Sequence, residues 1–206
     1  MEKVQWPEKI LNRKLIAVEG KDDVGFFVKL LDEIGVTNFF VWGIDGKGNF
    51  NRDLPLLSKV PGFASLTHFA VIRDGDTDEA FASVRSILCQ KMGFQNVPST
   101  HGEFAIGTPK IGIFIMPGKS VKGNTLEDLC LGTVEEHPSM QCVNEFVSCI
   151  SALKDRPKNM SKTKVQVFLA SQPEIVNSIG LGASKNYWDF TSPVLDELKT
   201  FLINLK

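Results

Sequence analysis

In Val71-Ile72-Arg73-Asp74-Gly75-Asp76-Thr77-Asp78-Glu79 an apolar run gives way to three aspartates at alternate positions. Leu66 to Ile72 reads as a buried strand. Thr77 reads as the N-cap of a helix with an apolar stripe of Phe81, Val84, Ile87, Leu88 and Met92, closed by Gly93. In an α/β sheet, ligands bind in the crevice beyond the C-terminal ends of the strands. Carboxylates gathered there repel one another unless a cation neutralises them. Asp74 and Asp76 are therefore expected to form a magnesium site.

Towards the N-terminus, Lys14 to Val18 predicts a first strand that delivers Glu19-Gly20-Lys21-Asp22-Asp23. A helix follows, with Val24, Phe27, Leu30, Leu31 and Ile34 on one face and Gly35 as its C-cap. Phe39 to Ile44 predicts a second strand, ending in the turn-rich Asp45-Gly46-Lys47-Gly48-Asn49. Leu54 and Leu57 suggest a short helix stopped by Pro61-Gly62. Beyond the aspartates, Ile111 to Met116 predicts a fourth strand ended by Pro117-Gly118. The alternation of strand and helix then stops. Met140 to Leu153, Val165 to Ala170 and Pro193 to Leu205 read as helices, the last with Ser192 as cap and proline at its first position. Pro157 to Ser161 is the nearest thing to a hinge. The expected fold is α/β: a Rossmann-like core with a mainly parallel sheet flanked by helices over residues 1–135, and a C-terminal helical extension over 136–206 packed on it as one compact unit.

With 206 residues, 43% of them apolar, the chain can bury a core of that size. A net charge of -1 excludes a global basic field of the kind that marks many nucleic-acid and anionic-lipid binders. No apolar run reaches the length of a membrane span. Met1-Glu2-Lys3-Val4-Gln5-Trp6-Pro7 has no apolar signal core, and the expected location is the cytoplasm. Cys89, Cys130, Cys142 and Cys149 lack paired spacing and are expected to be reduced, buried thiols. A zinc site from His137, Cys142 and Cys149 has no ligand spacing to support it.

Glu19 ends the first strand, and Asp74 and Asp76 end the third. In a parallel sheet these ends share one edge, so acids far apart in sequence are expected to converge. Magnesium takes a few carboxylate oxygens and keeps several waters. Two such ions can hold a phosphodiester and activate water. That chemistry needs carboxylates rather than histidines, and His68, His101 and His137 lie near no acidic turn.

Leu15-Ile16-Ala17-Val18-Glu19-Gly20-Lys21-Asp22-Asp23 resembles the first motif of the Toprim domain, an apolar strand ending in Glu-Gly. Val71 to Asp76 resembles its second, a strand ending in Asp-x-Asp. Toprim domains bind magnesium and make or break phosphodiester bonds. The resemblance implies a metal or general acid/base role for Glu19 and metal roles for Asp74 and Asp76. Asp23 matches an extra acid of the OLD-like nuclease branch. Thr125-Leu126-Glu127-Asp128 resembles a later acidic motif of that branch and implies a metal role for Glu127. More loosely, Lys162 or Lys164 would be the basic residue facing the transition-state charge. The two core motifs span residues 15–78, and the chain as a whole is similar to small stand-alone Toprim-like proteins without an assigned function. For Asp78 and Asp22 a helix-capping or solvated role is preferred.

Between Lys154 and Lys164 five basic residues face one acid, Asp155. Lys158 in this run, with Lys119 and Lys122 after the fourth strand, forms the candidate phosphate-binding set. Arg73 alternates to the other strand face, where a structural role is expected. Gly118-Lys119-Ser120 mimics the end of a P-loop, but position 113 is Ile where glycine is required. Asp74 to Glu79 mimics a calcium loop but lacks its glycine at the sixth position and its twelfth-position acid.

The expected function is magnesium-dependent phosphodiester chemistry on nucleic acid, nuclease-like, with Mn2+ able to substitute. Two alternatives stay open. One is a non-catalytic metal- or nucleotide-binding module that acts within a complex. The other is a phosphatase resembling the haloacid dehalogenases. A homodimer or a protein partner is also left open.

Overall fold

The computed structural model describes residues 7–44 and 46–206. The expectation for Met1 to Trp6, and that for Asp45, lie outside the described residues. Five strands form one sheet in the order β2-β1-β3-β5-β4. They are β1 (Lys14–Val18), β2 (Phe39–Gly43), β3 (His68–Asp74), β4 (Glu103–Ala105) and β5 (Lys110–Met116). β2, β1, β3 and β5 pair in parallel, as the alternating sequence pattern predicts. β4 pairs antiparallel with β5 and was not foreseen; it is three residues long and sits on the edge.

Period-two alternation sorts the strand side chains between two layers. Ile16, Val18, Ala70, Ile72, Phe114 and Met116 face one core. That core is covered by α1 (Lys21–Glu33), α4 (Leu126–Thr133), α5 (Met140–Ser151), α6 (Met160–Ala170), α7 (Ile179–Ser184) and α8 (Asp196–Ile203). Leu15, Ala17, Phe69, Val71, Ile111 and Ile113 face the other core, covered by α2 (Phe50–Leu57) and α3 (Ala80–Ser86). Strands buried on both faces explain the near-continuous apolar runs.

Several expectations need correction. Thr77 is not an N-cap. α3 begins three residues later at Ala80, and Thr77 only closes a turn by accepting a backbone bond from Ala80. The stripe from Ile87 to Lys91 continues as a wider π-helical turn. α2 starts at Phe50 and carries Pro55 inside it. α6 starts at Met160, capped by Asn159, so the end of the expected hinge at 157–161 is helical. Cys142 and Cys149 are exposed rather than buried, whereas Cys130 is fully buried.

α7 was not foreseen, because two of its six residues are glycines, which disfavour helix. Their reason is non-local. A Cβ on Gly180 would meet the Asp22 carbonyl oxygen at 2.7 Å, and one on Gly25 would meet the Gly180 Cα at 2.8 Å. The glycines let α1 and α7 touch backbone to backbone, and this seats Ser178 and Ile179 beside the start of α1.

Candidate functional site

The register of β1 on β3 pairs Ala17 with Val71, so Glu19 and Asp74 leave the sheet at nearly the same level. Gly75 fixes the turn that follows. Its N–H lies 3.1 Å from the Met116 carbonyl and 2.7 Å from that of Asn124. A Cβ there would meet the Met116 oxygen at 2.7 Å. The end of β3 is thus tied both to β5 and to the loop that starts α4.

Asp74 points towards α4 and accepts the Leu126 N–H at 3.0 Å. Asp23 folds back at the start of α1 and accepts the Gly20 N–H at 2.8 Å. Both bonds satisfy donors that a helix start leaves free. Around them opens a cleft of about 450 Å³. Glu19, Asp23, Asp74 and Glu127 line it, and Lys162 is on the same wall as Gln166, one helical turn further along α6.

Burial pushes Asp74 up to about 8, with repulsion from Glu19, Asp23 and Glu127 adding to it and the Leu126 N–H opposing it. Burial likewise pushes Asp23 up to about 6, with Glu127 and Asp22 raising it and the Gly20 N–H and Lys162 lowering it. Glu19 is raised by burial, against the pull of Arg73. Its Oε2 is buried and makes no hydrogen bond.

Arg73 is 8% exposed and sits at the back of this cluster. Its Nε lies 3.9 Å from Glu19 Oε2, and its terminal nitrogen lies 3.9 Å from Asp76 Oδ1. It also donates to Ser83 and lies over the Phe50 ring. The expected structural role is joined by a direct electrostatic one.

Of the residues named from sequence, Glu19, Asp23, Asp74, Glu127 and Lys162 line one cleft. Asp76 faces Arg73 instead. Lys164 and Lys122 line a separate groove with Asp128 and Ser161. Lys158 is exposed beyond α5. Lys119 belongs to a loop whose N–H groups at 119 and 120 both donate to Glu197, so the P-loop mimic is filled by the chain's own carboxylate. Lys21, Gln166 and Ser178 line the cleft without having been foreseen. Gln166 had a signal, its i+4 spacing from Lys162. Ser178 had none, since only the glycine contact of α7 brings it there.

The donor chemistry of the cleft suits a hard cation, because every acidic ligand offers carboxylate oxygen. Among the described residues, however, no three of His, Cys, Asp and Glu stand together in ligand geometry. Magnesium does not require that. It is commonly held by one or two carboxylates, with water and substrate phosphate completing its shell. The buried, unbonded oxygen of Glu19 is compatible with such a site. Among the described residues no helix is long and apolar enough to cross a membrane.

Residues 13–206 match a protein family described as "Protein of unknown function (DUF3226)", and the chain belongs to it. No curated protein and no solved structure matches.

Proposed function

We propose that this member of the DUF3226 family is a Toprim-like, magnesium-dependent enzyme that hydrolyses phosphodiester bonds in nucleic acid. The observation that carries the reading is the buried Glu19 oxygen without a hydrogen bond, beside Asp74 and Asp23 at the C-terminal edge of the sheet. A buried carboxylate oxygen that makes no hydrogen bond and faces Arg73 only at 3.9 Å is stabilised further when a second cation approaches it. Glu19 and Asp74 would hold the ion, with Asp23 and Glu127 on the facing walls. When bound, Mg2+ or Mn2+ supplies polarisation of a phosphoryl oxygen and a water nucleophile at neutral pH. Lys162 lines the same cleft and offers a positive charge to phosphate oxygens. The cleft volume suits one nucleotide of a strand rather than a duplex.

The test is incubation with supercoiled plasmid and with single-stranded DNA and RNA, in Mg2+ and in Mn2+. Glu19→Gln and Asp74→Asn, which keep shape and remove charge, serve as controls. Cleavage by the wild type, reduced by more than about 100-fold in both variants, is expected. Equal cleavage by all three proteins removes the nuclease reading, and turnover of a small phosphate monoester alone would favour the phosphatase.

A second reading, a non-catalytic metal- or nucleotide-binding module, draws on Arg73. Its guanidinium already stands 3.9 Å from Glu19 and from Asp76. Metal binding without cleavage of any of these substrates would select it.

A further inference from the structure

α5 packs chiefly against α6. Met140 and Val143 are buried and Val147 partly so, and these hold it against its neighbours. Beside the polar outer strip of Gln141, Glu145 and Ser148 runs an exposed apolar row. Cys142, Phe146 and Cys149 are exposed at positions i, i+4 and i+7, and Leu153 continues the row just past the helix end. Phe146 is 50% exposed and Leu153 56% exposed. A 4-3-4 spacing is the seam along which two helices pack.

The charges at the two ends of this row have opposite sign. Glu135 and Glu136 precede α5 and are exposed, whereas Lys154, Arg156 and Lys158 follow it and are exposed, outnumbering the exposed Asp155 among them. Arg156 also donates to the Ser151 carbonyl at the helix end. A second α5 running parallel would set like charges side by side. One running antiparallel would set each acidic end against a basic end, twice over.

We propose that α5 is the interface of an antiparallel homodimer, with its two-fold axis between Phe146 and Cys149. Phe146 of one copy packs on Cys149 of the other, and Cys142 packs on Leu153. The helix is about 18 Å long, so the seam alone falls short of the roughly 800 Å² per partner of a standard interface. The charged ends add pairing outside the seam, and this makes the dimer sensitive to salt. Here Lys158 meets a protein carboxylate, so the assignment stands independently of any role in phosphate binding.

The test combines sedimentation with cross-linking on the full chain. The wild type dimerises with rising concentration at about 0.1 M salt and dissociates towards 1 M salt, where screening shortens to about 3 Å. Phe146→Glu weakens association by more than about tenfold with an unchanged circular dichroism spectrum. Leu153→Cys together with Cys149→Ser forms an inter-copy disulfide to Cys142 under mild oxidation. A monomer at every concentration overturns the proposal and leaves the face to a different partner. A dimer indifferent to Phe146→Glu overturns it as well, and so does a Cys142–Cys142 link in the wild type, which would mean parallel packing. Should Phe146→Glu fail to fold, the Leu153→Cys/Cys149→Ser disulfide decides alone.

Discussion

Two aspartates flank the start of α4, and they are treated very differently. Asp128 is saturated. Its Oδ2 accepts from the Asn124 N–H, the Thr125 N–H and the Thr125 hydroxyl, and its Oδ1 accepts from Ser161 at 2.6 Å. Gly123, at φ 113°, keeps the loop clear of that carboxylate. Asp74, a few ångströms of backbone away, accepts one bond from Leu126 and otherwise meets the charges of Glu19, Asp23 and Glu127. Residue type is the same in both places. Saturation marks Asp128 as a joint between α4 and α6, whereas Asp74 keeps acceptor capacity facing the cleft.

If that contrast holds, Asp128→Ala should be the most damaging substitution to stability. It strands several backbone and hydroxyl donors and removes a capping box, at a cost of about 2–4 kcal/mol. Urea unfolding would read it, and an unchanged midpoint would erase the distinction. Asp74→Asn should act in the opposite sense. Its amide oxygen can still accept from Leu126, while the repelled charge disappears. At pH 8 and without divalent ions the variant should be more stable than wild type by about 1–2 kcal/mol, discounted because the cleft is open to water.

The pH dependence sharpens the point. An aspartate in the unfolded chain loses its proton near pH 3.8, whereas Asp74 holds its proton to about 8 and Asp23 to about 6. Between these values the folded protein binds more protons than the unfolded chain. The contribution is therefore complete below about pH 4 and is lost as pH rises to 8. Thermal scans of the metal-free protein should show Tm falling over that window, with a flatter profile for Asp74→Asn. A wild-type profile that rises instead would mean the acids are already neutralised within the fold. The smallest effect is expected at the lysines. Lys162→Ala and Lys164→Ala should each leave stability within about 0.5 kcal/mol, but only Lys162→Ala should weaken inorganic phosphate binding at the cleft, measured by calorimetry.

Much of this was legible from the sequence where the signal is local. Apolar runs located β1, β2, β3 and β5, and the acids at the ends of β1 and β3 converge because parallel strands share an edge. What stayed hidden depends on contacts between distant segments. β4 exists because Gly112 leaves room for the Phe104 ring and Gly102 bonds to Ile113, neither of which shows as a period-two run. α7 packs on α1 because Gly180 and Gly25 meet backbone to backbone, and Gly182 leaves room for Leu169 and Trp188. Asp76 looked equivalent to Asp74 in Asp-x-Asp, but it stands 3.9 Å from the buried Arg73 and does not line the cleft. Spacing on a strand end says which acids are near, and only packing says which cation each one faces.

The most direct test of the account is a calorimetric titration of the metal-free protein with Mn2+ at pH 8, beside Glu19→Gln and Asp74→Asn. The account predicts saturable binding by the wild type, accompanied by proton release and a higher Tm, and its loss in both variants. Absence of saturable binding to the wild type, or equal binding by all three proteins, would contradict it.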